Sequence, residues 1–184
     1  MPYTADHKSK FADLDFNINN QDQLRSKANG GNSILFSYQP SEESLYIAQA
    51  KQLYRDKAEF IDVSQLLVRF IDEDSWDVFA EYYKAYSSTP DKVFKSSHAE
   101  DADLFDLIIA DIKKASELDK IPFLIRSGCL YGTGIENLNI MEHSDIMSLR
   151  HPLVLFYPSS VDENDNVYFL NFKPASKYRC ILVK

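Results

Sequence analysis

The residues with the clearest chemical potential form a glycine-rich segment in the last third of the chain, Arg126-Ser-Gly-Cys-Leu-Tyr-Gly-Thr-Gly134. Three of the five glycines of the protein, Gly128, Gly132 and Gly134, fall in this segment. Backbone amides beside glycines can approach an anion closely, and the adjacent Arg126 and Ser127 could contact the same anion. The GxxxxGK[ST] and GxGxxG spacings of nucleotide-binding loops are both missing. The segment therefore predicts either a small-anion or nucleotide site in an α/β enzyme or a tight turn that packs a following helix.

A cysteine in the same segment suggests a second kind of chemistry. Cys129 would be a nucleophile if His143, with Asp145 beside it, acted as its base. A half-buried structural thiol is the alternative. The G-x-S-x-G elbow of esterases does not surround Ser127. Because no catalytic signature in the sequence is complete, we expect no enzyme activity.

A third pattern imitates a calcium-binding loop. Asp162, Asn164 and Asn166 stand at its first, third and fifth ligand positions. Val167 replaces the glycine of the sixth position, and Lys173 replaces the glutamate of the twelfth. We therefore expect a turn here, and we predict neither a metal site nor a bound cofactor.

Charge is distributed unevenly along the chain. The net charge of −8 lies entirely in residues 40–120, which hold 18 acids and 10 bases, whereas acids and bases balance on either side. Such a surface repels phosphate backbones, so we do not expect this chain to bind DNA alone. The exception is residues 166–184, which contain no acid and four bases, namely Lys173, Lys177, Arg179 and Lys184. These bases are interpreted as a solvated hairpin end, with an accessory nucleic-acid contact as the alternative.

The pattern of apolar runs predicts the elements that position these residues. Four short runs bounded by turn residues predict strands buried on both faces, at residues 33–38, 59–63, 121–126 and 152–157. The connections predict helices at residues 41–57, from Ser64, from Asp74 and at residues 99–118. The expected fold is a single α/β domain with a mostly parallel four-stranded central sheet and helices on both faces. Residues 166–172 and 178–183 predict a C-terminal antiparallel β-hairpin at the edge.

The order of the strands decides which loops meet. In a 2-1-3-4 order, the loops after strands one and three border the crevice at the carboxyl ends of the strands, where open parallel sheets bind ligands. These loops are residues 39–43 and 127–134. The predicted order therefore places the glycine-rich segment beside the crevice.

Composition and domain organisation complete the predictions. With 45% hydrophobic and 26% charged residues, the chain is typical of a globular protein. Residues 1–32 are mostly polar and predict a partly ordered N-terminal arm, and residues 33–184 predict the α/β domain. No apolar run approaches the roughly 18 residues of a membrane-spanning helix, so we expect a soluble cytoplasmic protein.

Four aromatic residues of one predicted helix, Trp76, Tyr82, Tyr83 and Tyr86, are interpreted as core, with a docking surface as the alternative.

Several short blocks of sequence, in order, resemble the BrxB family of bacteriophage-exclusion (BREX) defence systems. The C-terminal blocks are Pro152-Leu-Val-Leu-Phe-Tyr-Pro158 and Tyr178-Arg-Cys-Ile-Leu-Val183. The earlier blocks are Ile34-Leu-Phe-Ser-Tyr38, followed by an acidic helix start, and Phe60-Ile-Asp-Val-Ser-Gln-Leu-Leu67. The resemblance covers residues 33–183.

The resemblance implies a small nonenzymatic subunit that works by associating with larger defence proteins. The implied partners are an alkaline-phosphatase-like PglZ-type protein, a large ATPase and a methyltransferase complex that recognises the DNA. Family members have Tyr-Pro-Phe after their glycine-rich loop, whereas this chain reads Gly128-Cys-Leu-Tyr-Gly132.

Overall fold

The strands form where apolar residues face both sides of the sheet. In the computed structural model, which describes residues 4–73, 75–96 and 102–184, all six residues of the first strand are buried. Ile34 and Phe36 pack on one side of the sheet and Leu35 packs on the other, as the two-residue period of a strand requires. The strands of the described residues are β1 (Ser33–Tyr38), β2 (Ala58–Asp62), β3 (Ile121–Ile125), β4 (Leu153–Val161), β5 (Val167–Phe169), β6 (Lys173–Ala175) and β7 (Cys180–Val183).

The helices occupy most of the connections that the sequence predicts to be helical. They are α1 (Ala5–Asn19), α2 (Gln21–Lys27), α3 (Glu43–Tyr54), α4 (Val63–Glu73), α5 (Trp76–Ala85), α6 (Asp91–Phe94), α7 (Leu104–Glu117), α8 (Asn137–Met141) and α9 (Ser144–Met147). Asp103 caps α7, because its carboxylate accepts a hydrogen bond from the Asp106 backbone N–H at 2.9 Å. The predicted cap Asp74 and the predicted helix start at residue 99 lie outside the described residues.

The sheet is mostly parallel, as predicted, but it contains seven strands instead of four. The parallel part has the order β2-β3-β4-β1-β7, so the predicted 2-1-3-4 order is wrong. β1 pairs with β4 along its whole length, from Ser33 opposite Leu153 to Tyr38 opposite Pro158. These two strands lie side by side in the centre of the sheet because both are buried on their two faces. β2 carries Glu59 and Asp62, which are tolerated because it is an edge strand.

The predicted hairpin between residues 166–172 and 178–183 is not confirmed. β7 instead pairs in parallel with β1 and covers its second edge. β5 pairs antiparallel with both the end of β4 and β6. The chain reverses direction right after β5, because Leu170 and Asn171 both adopt left-handed conformations, with φ of 52° and 71°. Leucine is an unusual residue for such a turn. The sequence pattern therefore placed the hairpin turn later, at Lys173-Pro-Ala-Ser-Lys177.

Helices pack on both faces of the sheet, as predicted. On the first face, α1, α2 and α3 cover Phe36 and its neighbours in β3 and β4. On the second face, α4, α7 and the shorter helices cover Leu35, Leu124 and Leu155. The alternation of side chains within each central strand thus supplies both apolar layers.

The N-terminal segment, expected to be a partly ordered arm, forms the helices α1 and α2. Four of its apolar side chains are buried in the layer on the first face, namely Phe11, Leu14, Ile18 and Leu24. Phe16 points outward and is 52% exposed. The buried side chains repeat at three- and four-residue intervals in α1, which is the spacing of one helix face.

A lysine of α1 is held over the aromatic rings of the first face. The Nζ atom of Lys10 lies 5.2 Å from the centre of the Phe36 ring and 5.0 Å from that of Tyr46. Burial lowers the pKa of Lys10 from 10.5 to about 8, and the nearby Glu42 carboxylate opposes part of this shift. The charged form of Lys10 therefore destabilises the folded state at neutral pH.

This burial predicts how stability changes with pH in a Lys10→Met variant. Between pH 8 and 10.5 the unfolded state holds the Lys10 proton more tightly than the folded state, so the stability of the unsubstituted protein rises with pH. The difference in free energy of unfolding, variant minus unsubstituted protein, should be largest below pH 8 and should shrink as pH approaches 10.5. Urea denaturation from pH 7 to pH 11 measures it.

The matched control is Lys8→Met, which removes an exposed lysine from the same helix. Lys8→Met should not reproduce the decrease between pH 8 and 10.5 that burial of Lys10 predicts for Lys10→Met. Parallel pH curves for Lys10→Met and Lys8→Met would contradict the prediction.

Candidate functional site

A polar cluster forms at the carboxyl ends of β1, β2 and β3. The Nε atom of Arg126, just after β3, lies 3.1 Å from an Asp62 carboxylate oxygen at the end of β2. The other Asp62 oxygen accepts a 2.6 Å hydrogen bond from the Ser64 hydroxyl. On β1, the Tyr38 hydroxyl donates to the Glu43 carboxylate at 3.0 Å. Since β2 and β3 are neighbours, their carboxyl ends bring Asp62 and Arg126 together, which the predicted strand order did not do.

Two residues predicted to hold an anion are engaged within the protein. The Arg126 side chain, in a left-handed residue with φ of 58°, forms the ion pair with Asp62. The Ser127 hydroxyl is buried and donates to the Phe156 carbonyl oxygen at 2.7 Å. An anion at Arg126 would have to compete with a carboxylate, and Ser127 faces the core.

The three glycines of the segment have different surroundings. A side chain at Gly134 would begin 2.7 Å from the Asp91 Cβ atom, so this glycine allows the segment to pack against the start of α6. A side chain at Gly128 would meet Pro158 at 3.4 Å, whereas Gly132 faces open space. These contacts favour the tight-turn interpretation, although the packed helix precedes the segment in the chain instead of following it.

The cysteine of the segment is poorly suited to act as a nucleophile. Burial raises the pKa of Cys129 to about 11, and the negative charge of Asp62 adds to this shift. The thiol therefore stays protonated at neutral pH, and it donates to the Arg126 carbonyl oxygen at 3.1 Å. The proposed base, His143, caps α9 by accepting a hydrogen bond from the Asp145 backbone N–H at 3.3 Å. The structure thus favours the interpretation of Cys129 as a structural thiol over its interpretation as a nucleophile.

The basic residues near the C-terminus are largely paired with acids of the same chain. The Lys173 Nζ atom lies 3.0 Å from the Glu136 carboxylate. The Arg179 Nε atom lies 3.6 Å from the Glu142 carboxylate, and its Nη1 donates to the Asn29 carbonyl oxygen at 2.9 Å. Lys184 pairs with Asp165, while Lys177 is exposed. The fold brings distant acids to this segment, so its positive charge is weaker than the local sequence indicates.

The segment that imitates a calcium loop forms a turn, as expected. One Asp162 oxygen accepts backbone hydrogen bonds from Asn164 and Asn166, each at 2.8 Å. Two hydrogen bonds from Asn166 lower the pKa of the Asp162 carboxyl, and the one from the Asn166 side chain has a larger effect than the one from its backbone N–H. Within the described parts of the chain, no three or more histidine, cysteine or acidic side chains converge as metal ligands.

The largest departure from the sequence interpretation is at α5, where most of the aromatic residues are exposed. Trp76 is 64% exposed and Tyr82 is 46% exposed, and Val78, Tyr83 and Tyr86 are exposed as well. Phe79 is the one buried residue of this helix. The interpretation of Trp76, Tyr82, Tyr83 and Tyr86 as core is therefore wrong, and the docking-surface alternative agrees with their exposure. We call Trp76, Val78, Tyr82, Tyr83 and Tyr86 the α5 surface.

Helical spacing divides the α5 surface into two flanks. Val78, Tyr82 and Tyr86 follow one another at four-residue intervals, and the Tyr82 and Tyr86 rings are 5.0 Å apart. Trp76 and Tyr83, seven residues apart, lie on the opposite side of the buried Phe79. Phe79 packs against Phe70 and Phe94 and so attaches α5 to the rest of the domain. Residues on both flanks are exposed among the parts of the chain that the structure describes.

The fold and these surfaces define an α/β protein with a mostly parallel sheet, an internally paired polar cluster at the strand ends and an exposed aromatic helix. In the described ranges, no helix is long and apolar enough to span a bilayer. No protein-family model, curated protein or solved structure matches this chain.

Proposed function

We propose that this chain is a nonenzymatic subunit of a bacterial, cytoplasmic BREX-type phage-defence assembly, and that it binds another component through the α5 surface. The exposure of Trp76, Tyr82 and Tyr83 on α5, and of Tyr86 directly after it, is the observation that carries the interaction role. Aromatic residues are enriched at the centres of protein interfaces, where they supply most of the binding energy. The resemblance of residues 33–183 to the BrxB family supports the assembly and its partners, a PglZ-type protein, a large ATPase and a methyltransferase complex.

The packing of α5 on the rest of the chain depends on Phe79 and not on the exposed Trp76 and Tyr82. Phe79 docks the helix, and its ring packs near those of Phe70 and Phe94 at 6.1 Å and 6.0 Å. Folding leaves 64% of Trp76 and 46% of Tyr82 exposed, so it does not gain the energy of burying that part of their surface. A second protein that covered the α5 surface would gain that energy. Large exposed apolar patches are typical of such binding sites.

The polar cluster at the strand ends favours binding over catalysis. Arg126 is paired with Asp62, and the Ser127 hydroxyl is bonded to a buried carbonyl oxygen. The raised pKa of Cys129, about 11, keeps that thiol protonated at neutral pH. These groups satisfy one another, which stabilises the strand ends but leaves none of them prepared to attack a substrate.

Co-expression with each BREX component tests this proposal. The chain should co-purify with at least one of the PglZ-type protein, the ATPase and the methyltransferase. Truncating Trp76 and Tyr82 together, as Trp76→Ser and Tyr82→Ser, should weaken that complex at least about 30-fold, as expected for central interface residues. Affinity is measured by biolayer interferometry on the purified pair.

The control is a second exposed aromatic pair, Tyr131 and Phe172, whose rings lie 5.5 Å apart far from α5 in the chain. Tyr131→Ser with Phe172→Ser should leave the affinity within about twofold. Equal loss in both double variants, or no binding to any component, would contradict the proposal. Circular dichroism melting of each variant excludes unfolding as the cause.

A further inference from the structure

Acidic residues lie next to the aromatic residues of the α5 surface. Asp77 and Glu81 lie one helical turn apart on the outward side of α5, between its two aromatic flanks, and both are exposed. Asp72 and Glu73, at the end of α4, are exposed just before them. Lys84 is the one basic residue of α5. Among the described residues, α5 and the end of α4 thus carry four exposed acids, and α5 itself has two acids and one base.

These acids have no cationic partner within the described structure. The ion pairs of the described residues involve other acids, such as Asp62, Asp119 and Asp145. Asp77 lies in the first turn of α5, where a negative charge stabilises the helix dipole. Glu81 lies in the middle of the helix, and its repulsion with Asp77 four residues earlier destabilises the free helix slightly. A positively charged partner would remove this repulsion.

We propose that the α5 surface binds an arginine-bearing basic segment of a partner protein; this inference rests on the proposed function and specifies the chemistry of the partner. A guanidinium group can stack on an aromatic face and pair with a carboxylate through two parallel hydrogen bonds. A lysine ammonium group has neither the planar stacking surface nor the forked donors. Arginine is thus the side chain that uses both components of the α5 surface.

The same combination already occurs elsewhere in this chain. The Arg179 guanidinium lies 5.2 Å from the centre of the Tyr178 ring. Its Nε atom is also 3.6 Å from the Glu142 carboxylate. An arginine that contacts both a tyrosine ring and a carboxylate therefore occurs in this fold, whereas α5 has aromatic rings and carboxylates but no arginine.

The charge of α5 disfavours the other large molecules that bind aromatic surfaces. Nucleic acids stack their bases on aromatic rings, but their phosphates would face Asp77 and Glu81. Anionic membranes attract basic helices, whereas α5 has acids on its outward side. A basic protein segment is attracted by the same acids.

The only tryptophan of the chain, Trp76, lies on the α5 surface, so its fluorescence reports binding there. The probes are three 16-residue peptides with the same leucine pattern, whose charged positions are all arginine, all lysine or all glutamate. The arginine peptide should shift the Trp76 emission to shorter wavelength and bind about tenfold more tightly than the lysine peptide. The glutamate peptide should not bind.

The acids are tested with the double variant Asp77→Asn, Glu81→Gln. It should remove most of the preference for arginine, whereas Asp13→Asn with Asp15→Asn, which removes two exposed acids from α1, should preserve it. Equal affinity for the arginine and glutamate peptides would overturn the inference. So would a shift of Trp76 emission by a thymine 16-mer or by phosphatidylserine vesicles, in favour of a nucleic acid or a membrane.

The two proposals fail in different ways. If a BREX component binds through Trp76 and Tyr82 but its affinity is unchanged by Asp77→Asn, Glu81→Gln, the inference on arginine is wrong and the interaction role stands. If no component binds, the BREX role is wrong, and the peptide affinities still decide the chemistry of the α5 surface.

Discussion

Replacing Leu14 with alanine is expected to lower the free energy of unfolding by about 2–5 kcal/mol. Leu14 lies in the middle of α1, is completely buried and belongs to the apolar layer that contains Phe36. Truncation removes three carbon atoms from this layer and leaves a cavity that the surrounding helices and strands cannot fill. Urea denaturation followed by circular dichroism measures the loss.

The control for Leu14 is Phe16→Ala on the same helix. Phe16 is 52% exposed, so its truncation should change the free energy of unfolding by no more than about 0.5 kcal/mol. If α1 belongs to the core, Leu14→Ala should be much more destabilising than Phe16→Ala. If it is a loosely attached arm, the two substitutions should have similar effects on the free energy of unfolding. Small effects for both residues would mean that residues 1–32 are the partly ordered arm expected from the sequence.

Replacing Gly31 with alanine should cost about 3 kcal/mol, at the upper end of the usual range for overpacking. A Cβ atom at Gly31 would lie 2.0 Å from the carbonyl oxygen of Arg179 and 2.5 Å from its carbonyl carbon. These are backbone atoms immediately before β7, so they cannot turn aside as a flexible side chain can. The substitution should push β7 away from β1, because Ser33 pairs with Cys180 at this end of the two strands.

Gly30→Ala is the control, because it shows whether alanine in this part of the chain is destabilising without the clash at Gly31. Gly30 has a left-handed φ of 80°, and the atom nearest to an added Cβ is the Arg179 Nη1 at 3.5 Å. Gly30→Ala should therefore cost only the left-handed penalty of about 1–2 kcal/mol. Hydrogen exchange adds a second measurement: the amides of β7 should lose protection in Gly31→Ala and keep it in Gly30→Ala. The reverse order of the two effects would show that the close approach at Gly31 does not hold β7 in place.

Local patterns predicted most of the elements because burial and helix spacing act over a few residues. The first strand is predicted at residues 33–38 and observed at Ser33–Tyr38, where a short apolar run is buried on both faces. The α4 and α7 stripes of apolar residues likewise predicted helices that dock on the sheet. The excess of negative charge in residues 40–120 also follows from the sequence, because it depends on residue types and not on the fold.

The strand order and the hairpin could not be read in the same way. β1 is flanked by β4 and β7. Both strands have the apolar residues of a buried strand, but the local sequence does not indicate which strands are neighbours. The reversal at Leu170 and Asn171 uses left-handed residues without a glycine, so the nearest turn signal in the sequence misplaced the hairpin. Pairing between strands is decided by contacts across the whole domain.

The candidate surface shows the same division. The sequence by itself determined that α5 has aromatic residues at helical spacing and acids among them, because these are properties of residue type and order. Only the tertiary structure decided that Phe79 alone is buried while Trp76 and Tyr82 face solvent, and that Arg126 is neutralised by Asp62. A helical pattern fixes which residues share a face, but the side of the helix that meets the core depends on neighbours distant in sequence.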